Sequence, residues 1–198
     1  MSATLGWARR QKRCVREAAG KKLGEGAGIG EAMAAKFTSR TKWRSKLEKP
    51  QEPAVFDMSE RDVKRFGPGK MLIPTPMMVD EVIRGVRRGK LITTGTIRKM
   101  LAEKMGADVT CPLCTGIFVR ISAEASEEDR AAGKAKVTPY WRVITDKGEL
   151  NEKFPGGAAA AARKLREEGH RVVAKGKKRV VVDFEKAAGK REEAVGAA

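Results

Sequence analysis

The apolar positions of this chain fall into a short series of periodic runs separated by glycines and charge. Val79, Val82, Ile83 and Val86 recur at helical spacing after Thr75-Pro76, where a hydroxyl can cap the helix and proline suits its first position. A second helix is predicted to open at Thr94 or Gly95, to carry Ile97, Met100, Leu101 and Met105, and to stop at Gly106. A third is predicted from about Pro112 to Ala125 through Leu113, Ile117, Val119 and Ile121. Helix, turn, helix, loop, helix is the helix-turn-helix plan.

The β signals are weaker. Tyr140-Trp-Arg-Val-Ile144 has strand composition, and Asp146-Lys-Gly148 reads as a turn into a second short strand, together a wing. Ser126 to Lys136 is highly charged and broken by Gly133, which predicts a solvated loop. Ala158 to Glu168 is alanine-rich with Gly169 as its stop, a final helix. Arg171–Ala174 and Arg179–Phe184 read as a basic hairpin or tail strands. The expected architecture is mainly α with small β, a winged helix-turn-helix domain over residues 73–170. Residues 51–72 read as a linker with a short helix around Ser59–Phe66, where Ser59 and Asp62 resemble a capping box. Residues 1–50 read as a flexible basic arm and residues 171–198 as a basic tail.

Charge changes the picture from fold to partner. The 198-residue chain carries a net charge of +17, and residues 1–50 hold thirteen Lys or Arg against four Glu. Such an excess repels itself until a polyanion neutralises it, which points to nucleic acid. No apolar run approaches the ~20 residues that span a bilayer, and no basic amphipathic helix suggests a membrane surface. The Gly24–Gly30 run follows no strand pattern, so it reads as a linker rather than a phosphate cradle.

Three cysteines, Cys14, Cys111 and Cys114, are too few for a disulfide framework and fit a reducing cytoplasm. With one histidine, His170, neither a metal site nor a cofactor is expected. Cys111-Pro-Leu-Cys114 lies where a helix N-terminus lowers a thiol pKa, so a redox pair, half of a zinc site and plain packing all remain open there.

The ordered set Gly89-Lys-Leu-Ile-Thr-Thr-Gly-Thr-Ile97, Pro139-Tyr-Trp-Arg-Val-Ile144, Gly148, Phe154-Pro-Gly-Gly157 and Leu165-Arg-Glu-Glu-Gly169 resembles the DNA-binding domain of the O6-alkylguanine-DNA alkyltransferases. In that family a Pro-Cys-His-Arg-Val motif supplies the alkyl-accepting cysteine, and a histidine and a glutamate activate it. The matching positions here are Tyr140, Trp141 and Glu168. A phenol with pKa near ~10 is a poor nucleophile at neutral pH, and an indole is no base. The resemblance therefore implies the alkyltransferase-like branch, which binds alkylated DNA without repairing it and hands it to repair factors.

That resemblance implies DNA contacts at Thr94, Thr96, Thr110, Pro112, Thr115 and Arg120, and a base pocket at Tyr140, Arg142, Gly156 and Gly157, where an aromatic ring can stack on a flipped base. Thr94 stands where the family has a tyrosine that rotates the nucleotide, and Pro112 where it has the arginine that fills the vacated stack. The expected function is a monomeric, non-catalytic sensor of O6-alkylguanine in double-stranded DNA. Two alternatives stand beside it: a methyl-accepting or redox enzyme using Cys111 or Cys114, and a sequence-neutral structural binder of nucleic acid.

Overall fold

The structure is a computed structural model that describes residues 42–188. The first 41 and last 10 residues, which include Cys14, the Gly24–Gly30 run and most of the expected basic arm, lie outside the described residues.

Helix α1 (Trp43–Leu47) opens the described chain, and it is docked rather than free. Trp43 and Arg44 donate their backbone N–H groups to the two oxygens of Glu128, at 2.7 and 2.8 Å, and Leu47 is buried in the core. The end of the segment read as an arm is therefore part of the packed structure. The segment read as a linker is also structured. Strand β1 (Ala54–Asp57) pairs antiparallel with β2 (Lys70–Ile73), and α2 (Glu60–Phe66) connects them. Ser59 caps α2 by accepting from the Asp62 N–H, as the sequence suggests. Met71 and Leu72 are buried, so among the described residues packing already includes the segment from Trp43, ahead of Ile73.

Helix α3 (Pro76–Arg84) forms as expected, with Thr75 Oγ1 accepting from Met78 N–H at 3.2 Å and Val79 and Ile83 buried. Strand β3 (Ile92–Thr93) leads into α4 (Thr94–Lys104), which opens at Thr94 as expected and is capped by the Thr93 hydroxyl. Gly106, at φ +63°, turns the chain out of α4 in the left-handed conformation that glycine adopts without steric cost. Strand β4 (Val109–Thr110) then adds parallel to β2, giving a sheet of order β1-β2-β4.

Helix α5 (Pro112–Ala131) runs for 20 residues, past the expected end at Ala125. Ser122, Ala125, Ser126 and Asp129 form an inward stripe at spacing three and four, all buried. Ser126 Oγ donates to Thr138 O at 2.7 Å, while Asp129 pairs with both Arg44 and Lys134. The charged stretch read as a solvated loop is thus helical to Ala131, because packed partners rather than water satisfy its inward polar groups.

Tyr140–Arg142 form one 3-10 turn, and only Val143–Ile144 form a strand, β5, which pairs parallel with β3. The second strand of the expected wing does not form; Glu149 makes a single bridge to Val180. Helix α6 (Gly157–Glu167) follows, and the predicted basic hairpin is β6 (Val172–Lys175) with β7 (Lys178–Val181), then α7 (Phe184–Ala188). Val172 and Val181 close a second apolar cluster with Leu91, Ile144, Leu150 and Leu165, so residues 172–181 are an integral element and not a tail. Trp141 packs against both this cluster and the larger one around α3, α4 and α5. Among the described residues the result is a mixed arrangement of helices with three small sheets.

Candidate functional site

Residues far apart in sequence converge around the 3-10 turn. The Glu168 carboxylate, at the C-terminal end of α6, accepts the Trp141 indole N–H at 2.8 Å and the Arg142 guanidinium at 2.9 Å on both oxygens. Gly89 N–H donates to Glu168 Oε2 at 3.3 Å, and Arg142 Nη1 reaches Val86 O at 2.5 Å. Burial pushes the Glu168 carboxyl up, but Arg142 and Trp141 outweigh it and hold the group below the usual carboxylate range. Four residues of the ordered motif set, Gly89, Trp141, Arg142 and Glu168, therefore share one polar knot. Every oxygen of Glu168 is engaged in it, so the carboxylate is spent on holding the turn.

Tyr140 points the other way, into the core, with 1% of its surface exposed. Its ring meets Trp141 and Phe154 edge-on at 5.5 and 5.4 Å between centroids, and Lys164 Nζ sits 4.8 Å above it. Its hydroxyl donates to Glu127 Oε1 at 2.8 Å, and Lys164 Nζ pairs with the same oxygen at 2.7 Å. Burial and the neighbouring Glu127 carboxylate raise the phenol above its ordinary pKa, so it stays protonated. Tyr140 offers no open face to a base in this conformation; its place is a strut between α5 and α6. Gly156 and Gly157, named with it for a base pocket, take left-handed φ of +70° and +68° and turn the chain into α6, where Glu152 accepts the Ala158 N–H.

The residues named for DNA contact divide. Thr115 is buried and donates its hydroxyl to Cys111 O at 2.9 Å. Thr110 is buried too, its hydroxyl spent on Arg98 O at 2.9 Å. Thr115 thus bonds the preceding turn of its own helix, whereas Thr110, on β4, bonds a carbonyl of α4 and lines the cleft beside that helix. Thr94, Thr96, Pro112 and Arg120 keep partial exposure. Thr96 lies in an open cleft of about 410 Å3 with Arg98, Lys99, Asp108 and Asp146. Asp146 Oδ1 accepts Gly95 N–H at 2.7 Å at the N-terminus of α4, and Arg98 Nη2 reaches Asp146 Oδ2 at 3.3 Å.

The cleft's charged residues were not singled out from the sequence, because Arg98 and Asp146 lie 48 positions apart and only the β3–β5 pairing brings them together. Glu127 and Lys164 were missed likewise, Glu127 because it lies in the stretch read as a loop. Cys111 and Cys114 sit together at the start of α5, both half-buried thiols. His170 is half-buried, and burial lowers its pKa. Among the described residues no group of His, Cys, Asp and Glu could hold a metal ion, and no helix is long and apolar enough to cross a membrane.

No family model matches this chain, and no curated protein matches it. Among solved structures, the crystal structure of S. pombe Atl1 in complex with damaged DNA containing O6-carboxymethylguanine is similar to it, at 17% identity and a TM-score of 0.41 over 58% of this chain and 94% of that one.

Proposed function

We propose that this chain is a non-catalytic DNA-binding protein that engages alkylated duplex and marks it for repair factors. One observation carries the reading: the motif residues on which the alkyltransferase resemblance rests, Gly89, Trp141, Arg142 and Glu168, meet in a single polar knot although up to 79 positions separate them. Such convergence is what a shared domain plan requires and what scattered chance matches do not. The chemistry of the knot favours binding over transfer. Trp141 replaces a proton acceptor with a donor, Glu168 is saturated, and the hydroxyl at position 140 is buried and held protonated.

The cleft beside α4 is the best-suited base-probing surface. Its size lies within the range of small-molecule sites, about 300–1,000 Å3. Alkylation at O6 removes the N1 hydrogen of guanine and leaves an acceptor there, which suits a donor-only guanidinium such as Arg98. Lys99, exposed at the same rim, and the charge surplus of the whole chain supply phosphate contacts.

Titration of the full chain against duplexes with and without O6-methylguanine, across a salt series, tests this. Tighter binding to the lesion and a steep fall of log K with log salt are expected, with Arg98→Ala narrowing the preference. Binding without lesion preference leaves a sequence-neutral binder and removes the sensor role. Binding that ignores salt removes the DNA reading itself.

A further inference from the structure

Cys111 and Cys114 take no part in the reading above, yet the fold places them with care. Cys111 is the N-cap of the 20-residue α5. Its backbone is pinned on both sides: its N–H donates to Leu72 O at 2.9 Å, and its carbonyl accepts the Thr115 N–H at 3.0 Å and the Thr115 hydroxyl at 2.9 Å. Pro112 fixes the first helical residue. The chain is therefore rigid where the two thiols meet. Cys114 lies three residues on, in the first turn of the same helix. Both cysteines are only half-buried, and Leu113 between them is 60% exposed.

We propose that Cys111 and Cys114 form a thiol–disulfide exchange site whose substrates are disulfides. Two thiols in a Cys-x-x-Cys spacing at a helix N-terminus are the arrangement that makes the first sulfur the nucleophile and the second its resolving partner. The Cys114 thiol hydrogen bond, with the helical N–H groups, overcomes the effects of burial and of the Asp62 carboxylate on α2 and draws the Cys111 pKa down to about 6. A large thiolate fraction at neutral pH follows.

The exchange balances without any further reactant. The Cys111 thiolate attacks one sulfur of a disulfide R–S–S–R. That S–S bond breaks, the Cys111–S–S–R bond forms, and RS− leaves to take up the proton that Cys111 had released. Cys114 then gives up its proton and attacks the Cys111 sulfur. The mixed disulfide breaks, the Cys111–Cys114 bond forms, and the second RS− leaves as RSH. The cysteine pair is oxidised by two electrons, and the substrate is reduced to two thiols.

The full-length chain carrying Cys14→Ser, treated with oxidised glutathione at neutral pH, tests the site by intact mass. The pair is expected to lose two hydrogens and retain no glutathione. Adding Cys114→Ser should trap one glutathione on Cys111, mapped by peptide mass, and adding Cys111→Ser, which places a residue favoured at N-caps there, should abolish rapid reaction while circular dichroism reports the fold. Iodoacetamide should alkylate Cys111 with a midpoint near pH 6. A disulfide-linked peptide in place of glutathione tells whether macromolecular disulfides are also accepted. A folded Cys114→Ser protein that stays unmodified, or a parent that keeps the glutathione adduct without closing its own disulfide, overturns the proposal.

Discussion

Trp141 donates its indole N–H to Glu168 Oε1, the same oxygen that the Arg142 guanidinium holds at 2.9 Å. Arg142 and Glu168 are both largely buried, with 12% and 7% of their side chains exposed, and this pair ties the 3-10 turn to the end of α6. Removing the carboxylate leaves a buried guanidinium without its counter-charge. Glu168→Ala should therefore cost about 3–5 kcal/mol, and Glu168→Gln, which keeps an acceptor for Trp141, about 1–3 kcal/mol. Because the folded pKa of Glu168 is depressed, the stability it supplies is present above the ordinary carboxylate pKa and lost as pH falls through the folded value. Urea denaturation from neutral pH into acid should show a shallower acid loss in Glu168→Gln than in the parent.

Tyr140→Phe separates ring from hydroxyl. The Glu127 carboxylate keeps Lys164 at 2.7 Å when the phenol is lost, so the cost should stay near ~1 kcal/mol. Tyr140→Ala empties a fully packed position and should cost about 3–5 kcal/mol, in line with other large aromatic truncations. Its effect on DNA should be equal for damaged and undamaged duplex, measured in parallel titrations below the melting temperature. A selective loss of lesion binding would return Tyr140 to the role of a base-facing ring.

Restoring a thiol should not restore chemistry. Tyr140→Cys places sulfur in the core, without a base at position 141 and with Glu168 already bonded to Arg142. Incubation with O6-methylguanine duplex followed by intact mass should find no methyl group on the protein.

Asp80 is wholly buried on α3, 2.7 Å from Arg84 Nε, with Thr138, Ser122 and Arg44 as its other polar neighbours. Burial outweighs these partners and raises its pKa. A raised folded pKa means that the contribution of Asp80 is fully present below the unfolded value and is lost as pH rises through the folded one. Asp80→Asn should accordingly gain stability relative to the parent between pH 4 and pH 7, read as a rising difference in melting temperature. A falling difference would show that the Arg84 pair outweighs desolvation.

Leu47 and Leu72 belong to the main core although both precede the region that the motifs occupy. Leu72→Ala should cost about 2–5 kcal/mol. A fragment of residues 73–170 lacks both leucines, three of the four residues of β2 and the β6–β7 hairpin, and should show no cooperative thermal transition. Residues 42–188 should melt cooperatively.

The sequence by itself determined the helices whose signals are local. Thr75-Pro76 starts α3, Ser59 caps α2, Gly106 ends α4 and Gly169 follows α6, because caps, proline and glycine act on their own turn of chain. The order of motifs aligned Tyr140, Trp141 and Glu168 with one family site, but it was the fold that brought Gly89 and Arg142 to Glu168 and paired β6 with β7 as a hairpin. Only the tertiary structure put Leu47 and Leu72 in the core, since Leu47 stands among charged residues and Leu72 in a four-residue run too short to fix its partners. It alone extended α5 through Ser126 and Asp129, whose inward polarity looks like solvent exposure until Thr138, Arg44 and Lys134 are in place. It turned the Tyr140 ring into the core, because one residue's shift from strand to 3-10 turn reverses the direction of a side chain. And it assembled the cleft, where Arg98 and Asp146 meet across a two-residue parallel pairing of β3 with β5: a long-range contact that leaves no periodic mark in either segment.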